Sequence, residues 1–120
     1  MSTLATVIVL VVALLHIGFL VLEMFLWTKP IGRRVFGLSA EVMTASASLA
    51  ANQGLYNGFL AAGLIWGVAL GDSGFGVRVF FLLCVIVAGV FGAATAKRSI
   101  LWVQALPAAI GLLLTFLARS

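Results

Sequence analysis

The sequence predicts an all-α membrane protein, a bundle of four transmembrane helices in a single domain of residues 1–120. Of its 120 residues, 64% are hydrophobic and only 8% are charged, and the mean hydropathy is +1.30. A soluble domain is about 45–50% apolar and about 25% charged, so this chain lacks the polar residues that would cover a water-facing surface. A helix needs about 20 apolar residues to cross the hydrocarbon layer, so four crossings leave no room for a soluble catalytic domain.

Four apolar runs are separated by breaks that contain turn-forming or basic residues. After the first run, Pro30 and Gly32 argue against a continuous helix. Ser39 is suited to cap a new helix, and Glu41 in its first turn would match the helix dipole. Pro107 is expected to kink the fourth helix. The runs predict helices at residues 4–27, 45–70, 77–96 and 100–117.

The positions of the basic residues predict the orientation of the chain. Five Lys and Arg residues lie in the breaks at residues 28–44 and 97–99, whereas only Arg78 and Arg119 lie on the opposite side. Cytoplasmic loops carry an excess of basic residues, so we expect both breaks in the cytoplasm and both termini outside a cell membrane, inner or plasma. Topology also explains the net charge of +4 better than nucleic acid does, so the expected partner is the lipid bilayer.

Polar side chains inside the apolar runs are the candidate functional residues. An ionisable group at the centre of the bilayer costs about 2.5–3.5 kcal/mol, so such groups usually face the bundle interior and serve function. His16 and Glu23 are seven positions apart and therefore share one face of the first helix. The second helix adds a broad polar face, and the fourth adds one amide. The predicted polar pocket comprises His16, Glu23, Asn52, Gln53, Tyr56, Asn57 and Gln104.

Depth in the membrane suggests how these groups could meet. With a rise of about 1.5 Å per residue, an antiparallel hairpin would bring His16 level with Asn57. The same estimate places Glu23 close to the level of Asn52 and Gln53. We therefore expect the polar groups to converge on one cavity in the cytoplasmic half of the membrane.

A purely structural interpretation stands beside this hypothesis. The amides could only hydrogen-bond between helices, and Glu23 could reach the interface or pair with Arg33 or Arg34. The second helix also has a small-residue pattern that allows close helix packing, within the chain or between chains. The small residues at a spacing of four are Gly54, Gly58 and Ala62.

Several familiar chemistries have no sequence support. No Cys, His and acidic residues have metal-ligand spacing, no phosphate-binding glycine loop follows a strand, and no Ser, His and Asp set is evident. The lone Cys84 cannot form an internal disulfide. One His and one Glu would permit proton transfer without indicating a reaction. We expect no cofactor and no metal, and an enzyme is the less favoured class.

Three segments resemble the domain of unknown function 1304 family. They are HIGFLVLEMFLWTK at residues 16–29, RVFGL at residues 34–38 and AANQGLYNGFLAAG at residues 50–63. Members of that family are small bacterial and fungal integral membrane proteins with four predicted helices. The likeness covers nearly the whole chain and is most specific in EMFLW and NQGLYNG. The resemblance implies the four-helix architecture and draws attention to the polar residues of the first two helices, but it assigns them no reaction.

Three functions remain open from the sequence. The favoured one is a polar intramembrane pocket that binds or transports a small solute or cation, and transport through four helices would require a homodimer. The second is an accessory or structural subunit that packs against a larger partner. The third is a quinone-associated redox protein, in which His16, Tyr56 and Trp66 would line the quinone pocket.

Overall fold

The computed structural model describes residues 2–119, and every regular element in that range is helical. A 3₁₀ turn at Gly71–Gly74 precedes the fifth α-helix, and a π-helical segment at Leu101–Ala105 precedes the sixth. The all-α class is therefore confirmed. The six α-helices are α1 (Thr3–Met24), α2 (Pro30–Phe36), α3 (Ala40–Ala45), α4 (Ala47–Ala69), α5 (Phe75–Thr95) and α6 (Leu106–Arg119).

Three helical segments are long and apolar enough to cross a membrane. They are Thr3–Met24, Gly71–Thr95 and Leu101–Arg119, and they indicate a membrane protein. Helix α4 has 23 residues, which is sufficient length, but it is not one of the three. Three amide side chains in its first half make it more polar than the others. The fourth crossing expected at residues 45–70 therefore stays a prediction.

The chain divides into two compact units, and α1 and α4 contribute residues to both. The first unit contains the chain up to Leu15 and from Leu60 onward, and the second runs from His16 to Phe59. In the first unit, α5 packs along α6 and the π-helical segment. Its buried core consists of Val9, Val12, Ala13, Ala61, Leu64, Leu82, Val85 and Ala108.

A buried arginine closes the tight turn between α4 and α5. Nη1 of Arg78 donates hydrogen bonds to the carbonyl oxygens of Gly67, at 2.8 Å, and Gly71, at 2.6 Å. The last carbonyls of a helix have no partner within the helix, so the first bond satisfies a group at the end of α4 and the second satisfies a group in the turn that follows. Gly71 has a φ of +63°, which favours glycine. A Cβ atom at Gly74 would collide with the carbonyl oxygen of Gly67, so the turn also requires glycine there.

The irregularity expected near Pro107 takes the form of the π-helical segment. Proline has no amide hydrogen, so Pro107 cannot donate to the carbonyl of Val103. The preceding amide, that of Leu106, donates to the carbonyl of Leu101, five residues earlier, which is the hydrogen-bond spacing of a π-helix. The π-helical segment packs closely against α5 at Gly89. A Cβ atom at Gly89 would lie 2.7 Å from the backbone nitrogen of Ala105.

The break predicted at residues 28–44 contains two short helices, α2 and α3, in the structure. Pro30 begins α2. The first N–H groups of a helix have no acceptor within the helix, so the lack of an N–H in proline costs no hydrogen bond there. Gly37 ends the helix with a φ of +68°. Ser39 then caps α3 as predicted, since its Oγ accepts a 3.2 Å hydrogen bond from the amide of Val42.

Trp27 holds this helical connection together within the second unit. Its indole Nε1–H donates to Oγ of Ser46 at 3.1 Å, and its ring lies 4.7 Å from that of Phe36, between centroids. Gly32 allows α2 to approach the end of α1, because a Cβ atom there would lie 2.6 Å from the carbonyl oxygen of Trp27. The connection between α1 and α4 is therefore tightly packed.

Candidate functional site

Glu23 and Asn57 form the central polar contact of the second unit. Nδ2 of Asn57 donates a 2.5 Å hydrogen bond to Oε1 of Glu23. Asn57 is only 7% exposed, and Glu23 is half-buried. An acid and an amide from separate helices are thus brought together among largely apolar residues.

Small residues on α4 permit this approach. A Cβ atom at Gly54 would lie 2.7 Å from Cγ of Met24 and 3.1 Å from Cβ of Glu23. One turn later, a Cβ atom at Gly58 would lie 2.7 Å from Cδ1 of Leu20. Residue numbers thus increase along α4 as they decrease along α1. These parts of the two helices are therefore antiparallel and in close contact.

The backbone of Glu23 lies beside Gly54, one residue from the level at which we predicted Asn52 and Gln53. We expected Glu23 beside Asn52 and Gln53, but its carboxylate meets Asn57. Helix α1 ends at Met24, three residues before the predicted end at residue 27. Asn52 and Gln53 are exposed.

The remaining candidates on α4 do not join the Glu23–Asn57 pair. Nδ2 of Asn52 donates to Oη of Tyr56 at 3.3 Å, one turn along the same helix. Tyr56 is 51% exposed, and Gln53 is also exposed. The broad polar face predicted for this helix is therefore divided into an inward amide and an outward cluster, Asn52, Gln53 and Tyr56.

His16 is fully buried, two helical turns before Glu23. The separation of seven positions corresponds to about 10 Å along the helix axis, so the imidazole and the carboxylate do not touch. The imidazole meets the ring of Phe19 edge-on, with 5.2 Å between the ring centroids. Gln104 belongs to the first unit, where it is half-buried in the π-helical segment.

No cation neutralises Glu23 within residues 2–119. Neither Arg33 nor Arg34 forms an ion pair with it, so the structural alternative of an arginine partner is not the arrangement observed. Its second carboxylate oxygen, Oε2, accepts no hydrogen bond in that part of the chain. One oxygen is thus fixed by an amide and the other remains available. Across the same residues, no three His, Cys, Asp or Glu side chains are grouped to hold a metal ion.

Arg78 is the polar residue whose position the sequence reasoning did not anticipate. We used it only to count charges for topology, yet it is 5% exposed and closes the turn after α4. A signal was present, because Arg78 stands within an otherwise apolar run, close to its beginning. An arginine at such a position must find acceptors or reach water.

The chain is similar to proteins whose function has not been assigned. A family model described as "Protein of unknown function (DUF1304)" matches residues 10–116. The chain is 28% identical over 118 residues to the uncharacterized protein YpaA of Lactococcus lactis subsp. lactis (strain IL1403), a match that covers 97% of this chain and 99% of that protein. No solved structure matches the chain. Because the family model spans most of its length, the chain belongs to the DUF1304 family.

Proposed function

We propose that this protein binds a cationic solute at the Glu23–Asn57 pair, within a membrane bundle of four helices. The observation that carries the proposal is the half-buried carboxylate whose protein partner is a neutral amide. An acid in an apolar helix is costly, and the usual structural solution is an opposite charge. An amide fixes the orientation of the carboxylate but leaves its negative charge unbalanced, which favours a cationic ligand or a proton.

The geometry of the pair supports a site rather than a simple helix contact. Asn57 is held inward because Gly54, one turn earlier, lets the backbones approach. The amide engages only Oε1, so Oε2 would face the ligand. His16, on the same face of α1, would supply a second titratable group about 10 Å away. A protonatable pair at that separation suits proton-coupled binding of a solute.

A carbodiimide experiment tests this proposal. Dicyclohexylcarbodiimide reacts with protonated carboxyl groups in apolar surroundings, and peptide mapping would identify the modified acid. We expect modification of Glu23, protection by the lipophilic cation tetraphenylphosphonium, and loss of both effects in Glu23→Gln. The matched control is Glu41→Gln, because Glu41 is an exposed acid in α3 of the same unit. Binding of tetraphenylphosphonium that is equal in Glu23→Gln and the wild type would reject the site.

The four-helix topology is part of the proposal and has its own test. If α4 crosses the membrane, Thr28 and Ser73, which lie on either side of it, face opposite sides. We expect Ser73→Cys to react with an impermeant maleimide in intact cells, and Thr28→Cys to react only after permeabilisation. Both variants carry Cys84→Ser to remove the native thiol. Labelling of both cysteines from the same side would show that α4 does not cross.

A second candidate function is a membrane subunit that associates through α4, and the exposed cluster of Asn52, Gln53 and Tyr56 favours it. Exposed amides are costly against lipid and can hydrogen-bond to another helix. In a background of Cys84→Ser, Gln53→Cys should form a disulfide-linked dimer on oxidation if the partner is a second copy. Leu55→Cys, on another face of α4, is the matched control. Crosslinking that is equal at both positions would contradict a specific surface.

The quinone hypothesis receives no support from these positions. Tyr56 and Trp66 are 51% and 55% exposed, whereas His16 is fully buried. We therefore do not propose a redox function.

A further inference from the structure

A cavity of about 360 Å³ lies in the first unit, where the beginnings of α1 and α5 meet the end of α6. Its lining contains charged, hydroxyl and aromatic side chains. The residues that give it this character are Thr6, Asp72, Phe75, Arg78, Thr115 and Arg119. None of them belongs to the proposed cation site, which lies in the second unit.

Arg78 brings hydrogen-bond donors to this cavity. Its Nη1 is occupied by the carbonyl oxygens of Gly67 and Gly71. Within residues 2–119, Nε and Nη2 donate to no protein group. No buried side-chain nitrogen or oxygen in that range lacks a partner, so these two nitrogens are not sealed within apolar packing. The guanidinium is therefore anchored on one side and open on the other.

Arg119 adds a second guanidinium, and Phe75 holds it in place. Cζ of Arg119 lies 4.1 Å from the centroid of the Phe75 ring, which is the geometry of a cation–π contact. Phe75 is itself fixed by Phe116, which it meets edge-on at 5.3 Å between centroids. Stacking uses the face of the guanidinium and leaves the N–H groups at its edge available to a ligand.

Of the other polar groups in the lining, the two threonine hydroxyls already have acceptors and Asp72 opposes an anion. The hydroxyl of Thr6 donates to the carbonyl of Ser2 at 2.9 Å, and that of Thr115 donates to the carbonyl of Gly111 at 2.7 Å. Asp72 contributes one negative charge against the two guanidinium groups, so the lining keeps a net charge of +1 from these side chains. The available donors are thus concentrated on two arginines.

We propose that this cavity binds the phosphate group of an anionic ligand, with a membrane phospholipid as its natural source. Guanidinium groups recognise phosphate through paired, charge-assisted hydrogen bonds. The cavity lies at the ends of three helices that are long and apolar enough to cross a membrane, which is the depth of the lipid headgroups. The positive ends of the α1 and α5 dipoles add to the attraction for an anion.

Calorimetric titration of the purified protein in a neutral detergent tests the proposal with two probes, dihexanoyl phosphatidylglycerol and inorganic phosphate. Arg119→Gln removes a charged donor without removing the anchor of the α4–α5 turn, so we expect affinity to fall at least about tenfold. Asp72→Asn removes a negative charge that repels the anionic probe, so this change should raise affinity by several-fold. Arg98→Gln is the matched control, because Arg98 follows the far end of α5, roughly 30 Å away along the helix.

The outcomes separate the two sources and can also reject the site. Binding of the lipid without binding of inorganic phosphate identifies a headgroup site, and equal binding of both identifies a site for phosphate alone. The proposal is overturned if the wild type binds neither probe, if Arg119→Gln behaves like Arg98→Gln, or if Asp72→Asn weakens binding. These variants leave Glu23 unchanged, so failure here does not bear on the cation site.

Discussion

Glu23 accepts a hydrogen bond from the side-chain amide of Asn57 although the two residues are 34 positions apart in the chain. The contact joins α1 to α4 in an antiparallel arrangement. A hydrogen bond to a charged group contributes about 1.5–3 kcal/mol, more than the roughly 0.6 kcal/mol of an average interhelical polar contact in a membrane. The pair should therefore stabilise the second unit as well as orient the carboxylate.

We predict that Asn57→Ala lowers the free energy of unfolding by about 1–3 kcal/mol, because the half-buried carboxylate would lose its donor. The control is Asn52→Ala, which removes an exposed amide of the same helix and should cost no more than about 0.5 kcal/mol. Thermal unfolding in detergent, followed by tryptophan fluorescence, would measure both changes. Equal losses in the two variants would show that the Glu23 contact contributes no special stability.

Two glycines on α4 should respond differently to the addition of a methyl group. In Gly54→Ala the new Cβ would lie 3.2 Å from the carbonyl oxygen of Leu20 and 3.1 Å from Cβ of Glu23, and neither atom can move without the helix. In Gly58→Ala it would meet only Cδ1 of Leu20, which can change rotamer.

We therefore expect Gly54→Ala to destabilise the protein by about 1–3 kcal/mol. Gly58→Ala should be close to neutral, since its gain of up to about 1 kcal/mol in helix propensity offsets the side-chain adjustment. Chemical unfolding of the two variants in the same detergent provides the comparison. The interpretation fails if Gly58→Ala is the more damaging change.

The sequence was sufficient to include Glu23 and Asn57 among seven candidate polar residues but not to pair them with each other. Continuous apolar runs locate long helices, because few other structures bury so many consecutive apolar residues. Glu23 and Asn57 then stand out as groups that such surroundings reject. Which amide meets the acid depends on how closely α4 approaches α1 at Gly54 and on how far the Glu23 side chain extends along α4, and no local pattern encodes either.

The role of Arg78 was missed for a related reason. Charge counting treats every arginine as a solvent-exposed marker of topology. The structure instead directs this side chain to the carbonyl groups of Gly67 and Gly71, a contact that requires the sharp turn at the end of α4. A turn of four residues with two glycines is visible in the sequence, but the direction in which it sends the next helix is not.

That turn yields a third prediction. A methyl group at Gly74 would overlap the carbonyl oxygen of Gly67, and backbone atoms cannot yield as a side chain does. Gly74→Ala should therefore destabilise the first unit by about 3 kcal/mol or more. Gly76→Ala, two residues later, is the control, because a Cβ atom there has no neighbour within 4 Å. The yield and melting temperature of the two purified variants would distinguish them, and a stable Gly74→Ala protein would contradict the observed turn.

Removal of the Arg78 guanidinium should weaken the same turn. Arg78→Met keeps an unbranched apolar side chain but leaves the Gly67 and Gly71 carbonyls without their donor. Two hydrogen bonds from a charged group would suggest a loss of about 3–6 kcal/mol, but burial of the charge is itself costly, so we expect a net loss of about 2–4 kcal/mol.

Arg119→Met is the matched control for that change, because it removes an exposed guanidinium whose contact with Phe75 contributes no more than about 1 kcal/mol. Hydrogen exchange of the amides at residues 67–76 would localise the effect. Exchange should accelerate there in Arg78→Met and stay unchanged in Arg119→Met. If the two variants unfold at the same temperature with the same exchange rates, the cost of burying Arg78 cancels its hydrogen bonds, and the glycines alone determine the turn.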